Sequence, residues 1–443
     1  MILYFKNKAS RRWKEWLSLS YMEMDINTYD SQIEELFARH PSVQRQGFAH
    51  GAYKEGLEGI LSYDRALGSP WKNYPCIHVA GTNGKGSVCS MLAAALSALG
   101  ERVGLYTSPH LVDFRERMKI IADGSFLIPE KSEVLSLIHR RPTEGLSFFE
   151  ITTGMAFSWF ADHRADIAVI ETGLGGRLDS TNIITPCLSI ITSIGLDHCE
   201  LLGDSLEKIA AEKAGIFKSG VKALVYEDDP LCAEVFRRKA EECGCELYFA
   251  DHYAASHPET ELALSALEGK LDLQGEYQRQ NLRTVLCALS LLGVRPEECV
   301  LDAIKRCCEI TGLHARWEKI DSSPLTICDI GHNSAALAKN FAQLRSMGRN
   351  MYIVYGVMAD KDLKAIRPLM PSEAKYYLAA PRISRSLDVN TLFEALEGLD
   401  RQAFPSVESA VAKAREDALK DPDSVVYIGG SNYLVAECIS AYR

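Results

Sequence analysis

The sequence predicts an α/β protein in which a parallel-sheet domain with a phosphate-binding loop is followed by a smaller α/β domain. Three observations lead there. Short β-branched runs alternate with helical patterns along the chain, a glycine-rich loop joins one of those runs to a helix, and a second strand and helix series starts after a break. The first series comprises Cys76 to Val79, Val103 to Tyr106, Ile167 to Ile170, Leu188 to Thr192 and Ala223 to Tyr226. The second comprises Leu325 to Cys328, Met351 to Tyr355, Tyr376 to Ala379 and Val425 to Ile428. Most of these runs lack polar alternation, as strands buried on both faces do.

Residues 294–321 hold a proline, two adjacent cysteines and a glycine, so the boundary is placed near Leu313. The expected organisation is 25–312 for the nucleotide-binding domain and 313–443 for the smaller one. Residues 1–24 carry Trp13 and Trp16, but charges interrupt every apolar run, which excludes a signal peptide and a membrane span. Met22 and Met24 stand just before a helical pattern from Asp25 to Phe37, and 1–24 are read as an upstream extension of the reading frame.

A chain of 443 residues exceeds what one core organises, and 47% hydrophobic with 24% charged residues is ordinary for a soluble protein. The net charge of −10, without a long Lys/Arg run, argues against nucleic-acid binding. Thirteen cysteines without a Cys-x-x-Cys pair read as reduced thiols of a cytoplasmic protein, not as zinc ligands or disulfides.

The sharpest motif is Gly81-Thr82-Asn83-Gly84-Lys85-Gly86-Ser87, between the strand Ile77 to Ala80 and the helical run Val88 to Leu99. Three glycines let backbone N–H groups curl round a phosphate, the helix N-terminus adds a positive dipole end, and Lys85 adds a point charge. Ser87 can offer its hydroxyl to Mg²⁺. Val79 stands where the commoner spelling of this loop has its first glycine.

Polar clusters follow three more strands: Tyr106 to Leu111, Ile170 to Asn182 and Ser193 to His198. The carboxyl ends of parallel strands beside a phosphate loop are where an open α/β sheet builds its site. Glu171 is placed there as a strand-end acid able to hold Mg²⁺ against phosphates. The run Gly173-x-Gly175-Gly176 does not make a dinucleotide fingerprint, because Leu178 replaces the third glycine. His198 alone reads as an ordinary histidine, and Lys213 as a helix-surface lysine.

The loop Gly81 to Ser87 together with Glu171-Thr172-Gly173-Leu174-Gly175-Gly176-Arg177-Leu178-Asp179 resembles the Mur ligase superfamily, in particular its folylpolyglutamate synthase/dihydrofolate synthase branch. The resemblance runs from about Ala49 to Glu437. It implies an ATP-dependent ligase that activates a carboxylate as an acyl phosphate and joins L-glutamate to dihydropteroate, to folate, or to both. It further implies Ser108, Glu171 and His198 as Mg²⁺ ligands and a carbamylated Lys213 holding a second Mg²⁺, with Lys85, His198 and Lys213 in catalytic roles. Asn281, Arg316, Asp329 and His332 match segments that close over ATP. The aromatic and acidic segment Ser147-Phe148-Phe149-Glu150 suits a flat, hydrogen-bonding pterin, and Leu178, Asp179 and Ser180 match pterin positions. A monomer is also implied.

Two departures stand out: Ala315 precedes Arg316 where the family usually has Gly, and Ile330-Gly331 replaces a commoner spelling. Gly356 to Asp362, Ser384-Arg385-Ser386 and Gly429 to Asn432 match the family without a chemistry assignable from the residues. Two other readings stay open on the sequence: a Mur-type ligase acting on a non-folate acceptor, and a non-catalytic nucleotide-binding switch.

Overall fold

The structure, a computed structural model, describes residues 26–42, 56–226 and 229–442; the extension expected over 1–24 lies outside them. Eight strands form the larger sheet: β1 Cys76–Ala80, β2 Val103–Tyr106, β3 Met118–Ala122, β4 Ser125–Leu127, β5 Ile167–Glu171, β6 Leu188–Ile191, β7 Lys222–Val225 and β8 Leu247–Phe249. Their order is β4-β3-β2-β5-β1-β6-β7-β8. Six strands form the smaller sheet: β9 Glu318–Ser322, β10 Leu325–Cys328, β11 Asn350–Tyr355, β12 Lys375–Leu378, β13 Asp400–Ala403 and β14 Ser424–Gly429, in the order β13-β12-β11-β14-β10-β9.

Both sheets are parallel in their interiors, but β3 and β4 pair antiparallel at one edge of the first, and β9 antiparallel at one edge of the second. These strands, with β8 and β13, are the ones the alternation pattern does not reveal. The reason is physical. Edge strands carry charged and exposed residues that discourage pairing with other chains, so the long apolar run is missing. All of Ser125–Leu127 is exposed, and Asp400–Ala403 is exposed or half-buried. In β3 the run is broken by Lys119, whose ammonium reaches the carbonyls of Thr311 (2.8 Å) and Gly312 (3.1 Å) just before the second sheet begins.

β1 lies between β5 and β6; the chain runs from β1 to β2 on one side and later crosses from β5 over β1 to β6 on the other. That reversal opens a crevice at the carboxyl ends of the strands. The helix Lys85–Ser97 starts in the crevice and is buried over Gly86 to Ser97, which explains its apolar composition on every face. It packs against the helices Gln278–Leu291 and Glu298–Lys305. On the opposite face of the sheet, the helix Phe148–Asp162 packs against Glu58–Leu67.

The chain enters the second sheet through Gly312 (φ 62°), Ala315 (φ 59°) and Trp317 (φ 54°), all in the left-handed region. For Ala315 and Trp317 this is strained backbone. Contacts over-determine it: Trp317 N–H donates to Asp329 Oδ2 (2.8 Å), and Ala315 N–H donates to Glu318 Oε2 (2.6 Å). Among the described residues no helix is long and apolar enough to cross a membrane.

Gly154, in the helix Phe148–Asp162, has the Tyr63 ring where a side chain would begin. Gly154→Ala is expected to push the two helices apart and destabilise the protein by about 1–3 kcal/mol, read as a lower urea midpoint with unchanged activity per folded molecule.

Candidate active site

The loop after β1 needs glycine at two positions. Gly81 (φ 152°) has Thr192 Oγ1 where a methyl would go, and Gly84 (φ 91°) has Asn281 Oδ1 there. The next strand's end holds the loop in place. Thr82 N–H donates to the Ser193 carbonyl (2.8 Å), Gly195 N–H to Thr82 Oγ1 (3.1 Å), and Thr192 Oγ1 to the Asn83 carbonyl (2.7 Å). Lys85 Nζ lies over the loop, donating to the carbonyls of Gly81 (3.0 Å) and Thr82 (3.3 Å). Ser87 Oγ accepts from Gln278 Nε2 (3.1 Å), whose amide oxygen accepts from Asn281 Nδ2 (2.7 Å). A methyl on Gly86 would stand 3.3 Å from Arg316 Nη2 and 3.7 Å from Glu171 Oε2, so a cation and an acid from different elements face the same turn.

Glu171 ends β5, is 4% exposed, and accepts from Ser108 N–H (3.1 Å). Burial pushes its carboxyl up, opposed by Lys85, the Ser108 N–H, Arg316 and Arg117. His198, in the left-handed region (φ 53°), is pressed by burial down to about 4 and is neutral at pH 7, the form in which imidazole ligates metal. Among the described residues no three His, Cys, Asp or Glu groups cluster as a metal site. Glu171, His198 and the Ser87 and Ser108 hydroxyls nevertheless suit a hard cation such as Mg²⁺, which takes few protein ligands and completes its shell with phosphate oxygens and water.

Lys213 is 4% exposed and donates to the Gly81 carbonyl (2.9 Å). Burial, then the neighbouring Lys85, lowers its pKa to about 7, against the pull of Asp197 and Asp179. Its amine is therefore partly neutral at physiological pH.

Asp329 is a buried organiser. Oδ2 accepts from Tyr277 OH (2.6 Å) and Trp317 N–H, and Oδ1 accepts from Gly331 N–H (2.7 Å) and Asn340 Nδ2 (2.7 Å). Oδ2 thus holds the strained turn next to Arg316 through Trp317 N–H, while Oδ1 ties Asp329 to its own loop and to the helix Ser334–Ser346.

Asp197, which the sequence reading passed over, joins the two sheets. It pairs with Lys361 (2.7 Å) and His332 (3.5 Å), and accepts from Asn333 Nδ2 (3.1 Å). Burial alone would raise its carboxyl; His332, His198 and Lys361 together hold it far below the usual range. Asn333 and Asn83 exchange amide hydrogen bonds (3.0 and 3.2 Å), tying the phosphate loop to the second sheet.

A cleft opens from this centre. One wall contains Ser108, Ser147, Phe148, Phe149, Glu150, Leu178, Asp179, Ser180 and His198; the other contains His332, Met358, Asp360, Lys361, Arg385 and Asn432. The expected pterin residues therefore share a wall, but several of their polar atoms are already engaged. Ser147 and Glu150 cap their own helix, with Ser147 N–H to Glu150 Oε2 at 2.6 Å and Glu150 N–H to Ser147 Oγ at 3.2 Å. Phe148 stacks on Phe37 at 4.1 Å. Asp179 accepts from Leu174 N–H (2.8 Å), Thr181 N–H (3.0 Å) and Thr181 Oγ1 (2.5 Å). Phe149, half-buried against Gly173, is the more available ring. Asp360 and Lys361 had a signal in the Asp360-Lys361-Asp362 run, whereas no local pattern marked Asp197 or Asn333 for this contact.

Comparison with known proteins gives the family. Residues 79–293 match the Mur ligase middle domain and 315–432 match the Mur ligase, glutamate ligase domain. A folylpolyglutamate synthase from Lacticaseibacillus casei is 31% identical over 85% of this chain and 92% of its own. The chain belongs to the folylpolyglutamate synthase/dihydrofolate synthase family of Mur ligases. In solved structures, E. coli FolC in complex with DHPP and ADP superposes with a TM-score of 0.78 at 29% identity, covering 93% of this chain and 97% of that one. A bifunctional folylpolyglutamate synthase/dihydrofolate synthase with Mn, AMPPNP and L-glutamate bound gives 0.77 at 28% identity, covering 93% and 97%. A glycine-rich loop that opens a helix offers its backbone N–H groups to a phosphate. Gly81→Ala is expected to weaken AMPPNP binding by about 3 kcal/mol, roughly 100-fold in Kd by titration calorimetry.

Proposed function

We propose that this chain is an ATP-dependent ligase that adds L-glutamate to dihydropteroate and to reduced folates through an acyl phosphate. The observation that carries the reading is the continuity of the site: Glu171, which faces Gly86 of the phosphate-loop motif, accepts from the N–H of Ser108, and Ser108 lines a cleft with an aromatic wall on one side and Lys361 and Arg385, paired with Asp197 and Asp360, on the other.

In this reading ATP lies on Gly81 to Ser87, with Asn281, Asp329 and His332 lining its enclosure. Lys85 leaves the Gly81 and Thr82 carbonyls for the terminal phosphates, and Arg316 meets them from across Gly86. Glu171, His198, Ser87 and Ser108 would hold Mg²⁺, which would supply neutralisation of phosphate charge. The acceptor carboxylate attacks the γ-phosphorus: a C–O–P linkage forms, the bond to the β,γ-bridging oxygen breaks, and ADP leaves with the electron pair. Catalysis here is alignment and charge neutralisation. The amine of L-glutamate, its carboxylates facing Lys361 and Arg385, then attacks the acyl carbon; the C–N bond forms, phosphate leaves and the amine loses its proton. The Asp197 contacts with Lys361, His332 and Asn333 keep the sheets closed, because water would hydrolyse the acyl phosphate.

Lys213 takes up CO₂ in this account, losing a proton and becoming an anionic carbamate ligand for a second Mg²⁺. The domain limits near Leu313, the monomeric state and a cytoplasmic location belong to the same proposal.

Purified protein with ATP, Mg²⁺ and L-glutamate is expected to release phosphate and show a glutamate-sized mass gain on dihydropteroate and on tetrahydrofolate. Gain on one alone would narrow the substrate. Turnover of a UDP-sugar acceptor but no pteroate would overturn the folate assignment, and acceptor-independent hydrolysis would leave a nucleotide switch.

A second expectation follows from Lys213. The amine is protonated below about pH 7 and increasingly neutral above it. Activity should therefore rise from pH 6 to 8 and respond to added bicarbonate. Lys213→Ala should lower kcat about 100-fold or more, be insensitive to bicarbonate, and recover partly with a small carboxylate such as acetate.

A further inference from the structure

The cleft wall holds a cation that the phosphate chemistry does not use. Arg117 ends the short turn Phe114–Arg117 just before β3; it is 2% exposed, yet it lines the cleft beside Ser108, Phe148 and Phe149. Its guanidinium lies over the Phe148 ring at 5.3 Å, and its Nε donates to His110 Nδ1 at 2.9 Å. These contacts fix the plane of the fork. Tyr106 is a side-chain hydrogen-bond partner of the guanidinium, and Tyr433 and Glu171 are further electrostatic neighbours. A guanidinium stays protonated even when buried, so the wall keeps a permanent positive charge there.

Its position is informative. Ser108, which shares the cleft wall with Arg117, holds Glu171 through its N–H, and Glu171 faces the phosphate loop across Gly86. Arg117 is thus at the end of the aromatic wall nearest the phosphates. An acceptor acid must bring a carboxylate to this point against the negative charge of ATP and Glu171. Lys85 and Arg316 are assigned to the phosphates and Lys361 and Arg385 to L-glutamate, which leaves Arg117 for the acceptor carboxylate, and a planar fork suits a carboxylate better than a point charge does.

We propose that Arg117 is a catalytic residue that docks the reacting carboxylate of the acceptor and aims one of its oxygens at the γ-phosphorus. The inference rests on the reading of the cleft as an acceptor site. Its distinctive consequence is that the preference for an acid over its carboxamide resides in this one side chain. A purely structural arginine would support both ligands equally.

The test compares Kd for dihydropteroate and for its carboxamide analogue in the presence of AMPPNP and Mg²⁺, in wild type, Arg117→Gln and Arg117→Lys. Wild type should bind the acid about 10-fold or more tightly than the amide. Arg117→Gln should lose that preference while binding the amide and AMPPNP as wild type does. Arg117→Lys should keep part of the preference but lower kcat by about 10-fold or more, because a point charge does not fix the carboxylate plane. Retention of the acid preference in Arg117→Gln, or equal loss of acid and amide, would overturn the proposal. If Arg117→Gln does not fold, Arg117→Lys decides: unchanged preference with unchanged kcat refutes the docking role. Wild type that turns over a different acid but binds neither pteroate ligand would refute the folate reading instead, and the same comparison on that acid and its amide would still decide the role of Arg117.

Discussion

The carbonyl of Gly81 receives two ammonium groups, Lys85 Nζ at 3.0 Å and Lys213 Nζ at 2.9 Å, and the rest of the site is arranged around that convergence. Two cations on one carbonyl repel each other in a buried setting. One consequence is the depressed pKa of Lys213, to which burial contributes most and Lys85 next. The arrangement requires a backbone that turns without a side chain at Gly81, since Thr192 occupies that space. It also requires the lysine's helix to lie close to the acceptor wall. Gly176 and Gly215 provide this: a methyl on Gly176 would stand 2.7 Å from the Lys213 carbonyl, and one on Gly215 would meet Arg177. The Lys213 ammonium thus meets the loop at the Gly81 carbonyl, while the backbone of its helix packs on Gly176 and Arg177, beside the cleft residues Leu178 and Asp179.

The second sheet meets this centre through charge. Asp197 is a largely buried carboxylate, its side chain 10% exposed, whose ionised form is held by His332, His198 and Lys361. Breaking one member of such a cluster leaves a desolvated charge, which is why closure of the two sheets is a definite state and not a loose approach. The reciprocal amides of Asn83 and Asn333 set the register of that closure at the phosphate loop itself. Asp329 adds a further control, since it accepts from Trp317 N–H in the left-handed turn around Arg316 and is itself fixed by Tyr277, Gly331 and Asn340. Ala315 holds φ 59° where the family pattern has glycine, so this chain keeps the turn by hydrogen bonding, not by backbone freedom.

Much of the fold was legible. The interior strands announced themselves as apolar β-branched runs, and the matches at Val103–Tyr106 and Leu325–Cys328 are residue for residue. Edge strands were not legible, because Ser125–Leu127 and Asp400–Ala403 need polar surfaces and so lose the signal used to find strands. In the site, Glu171 and Arg316, which the sequence reading singled out separately, both face Gly86 of the loop, and Ser87 is bonded to Gln278. Ser147 and Glu150 illustrate the opposite case: a polar pair three residues apart reads equally as a ligand contact or as a helix cap, and the cap is what their polar atoms form.

By itself the sequence determined the features whose physical cause lies in contiguous residues. A glycine-rich turn between a strand and a helix can cradle phosphate whatever surrounds it, and strand-end acids and histidines fall near it once the strands are parallel. Tertiary structure alone decided which charges meet across the cleft. Asp197 and Lys361 lie 164 residues apart, and Asn83 and Asn333 lie 250 apart. No local pattern encodes such pairs, because their energy arises from burial and from complementary charge on two surfaces that come together only when both sheets have folded.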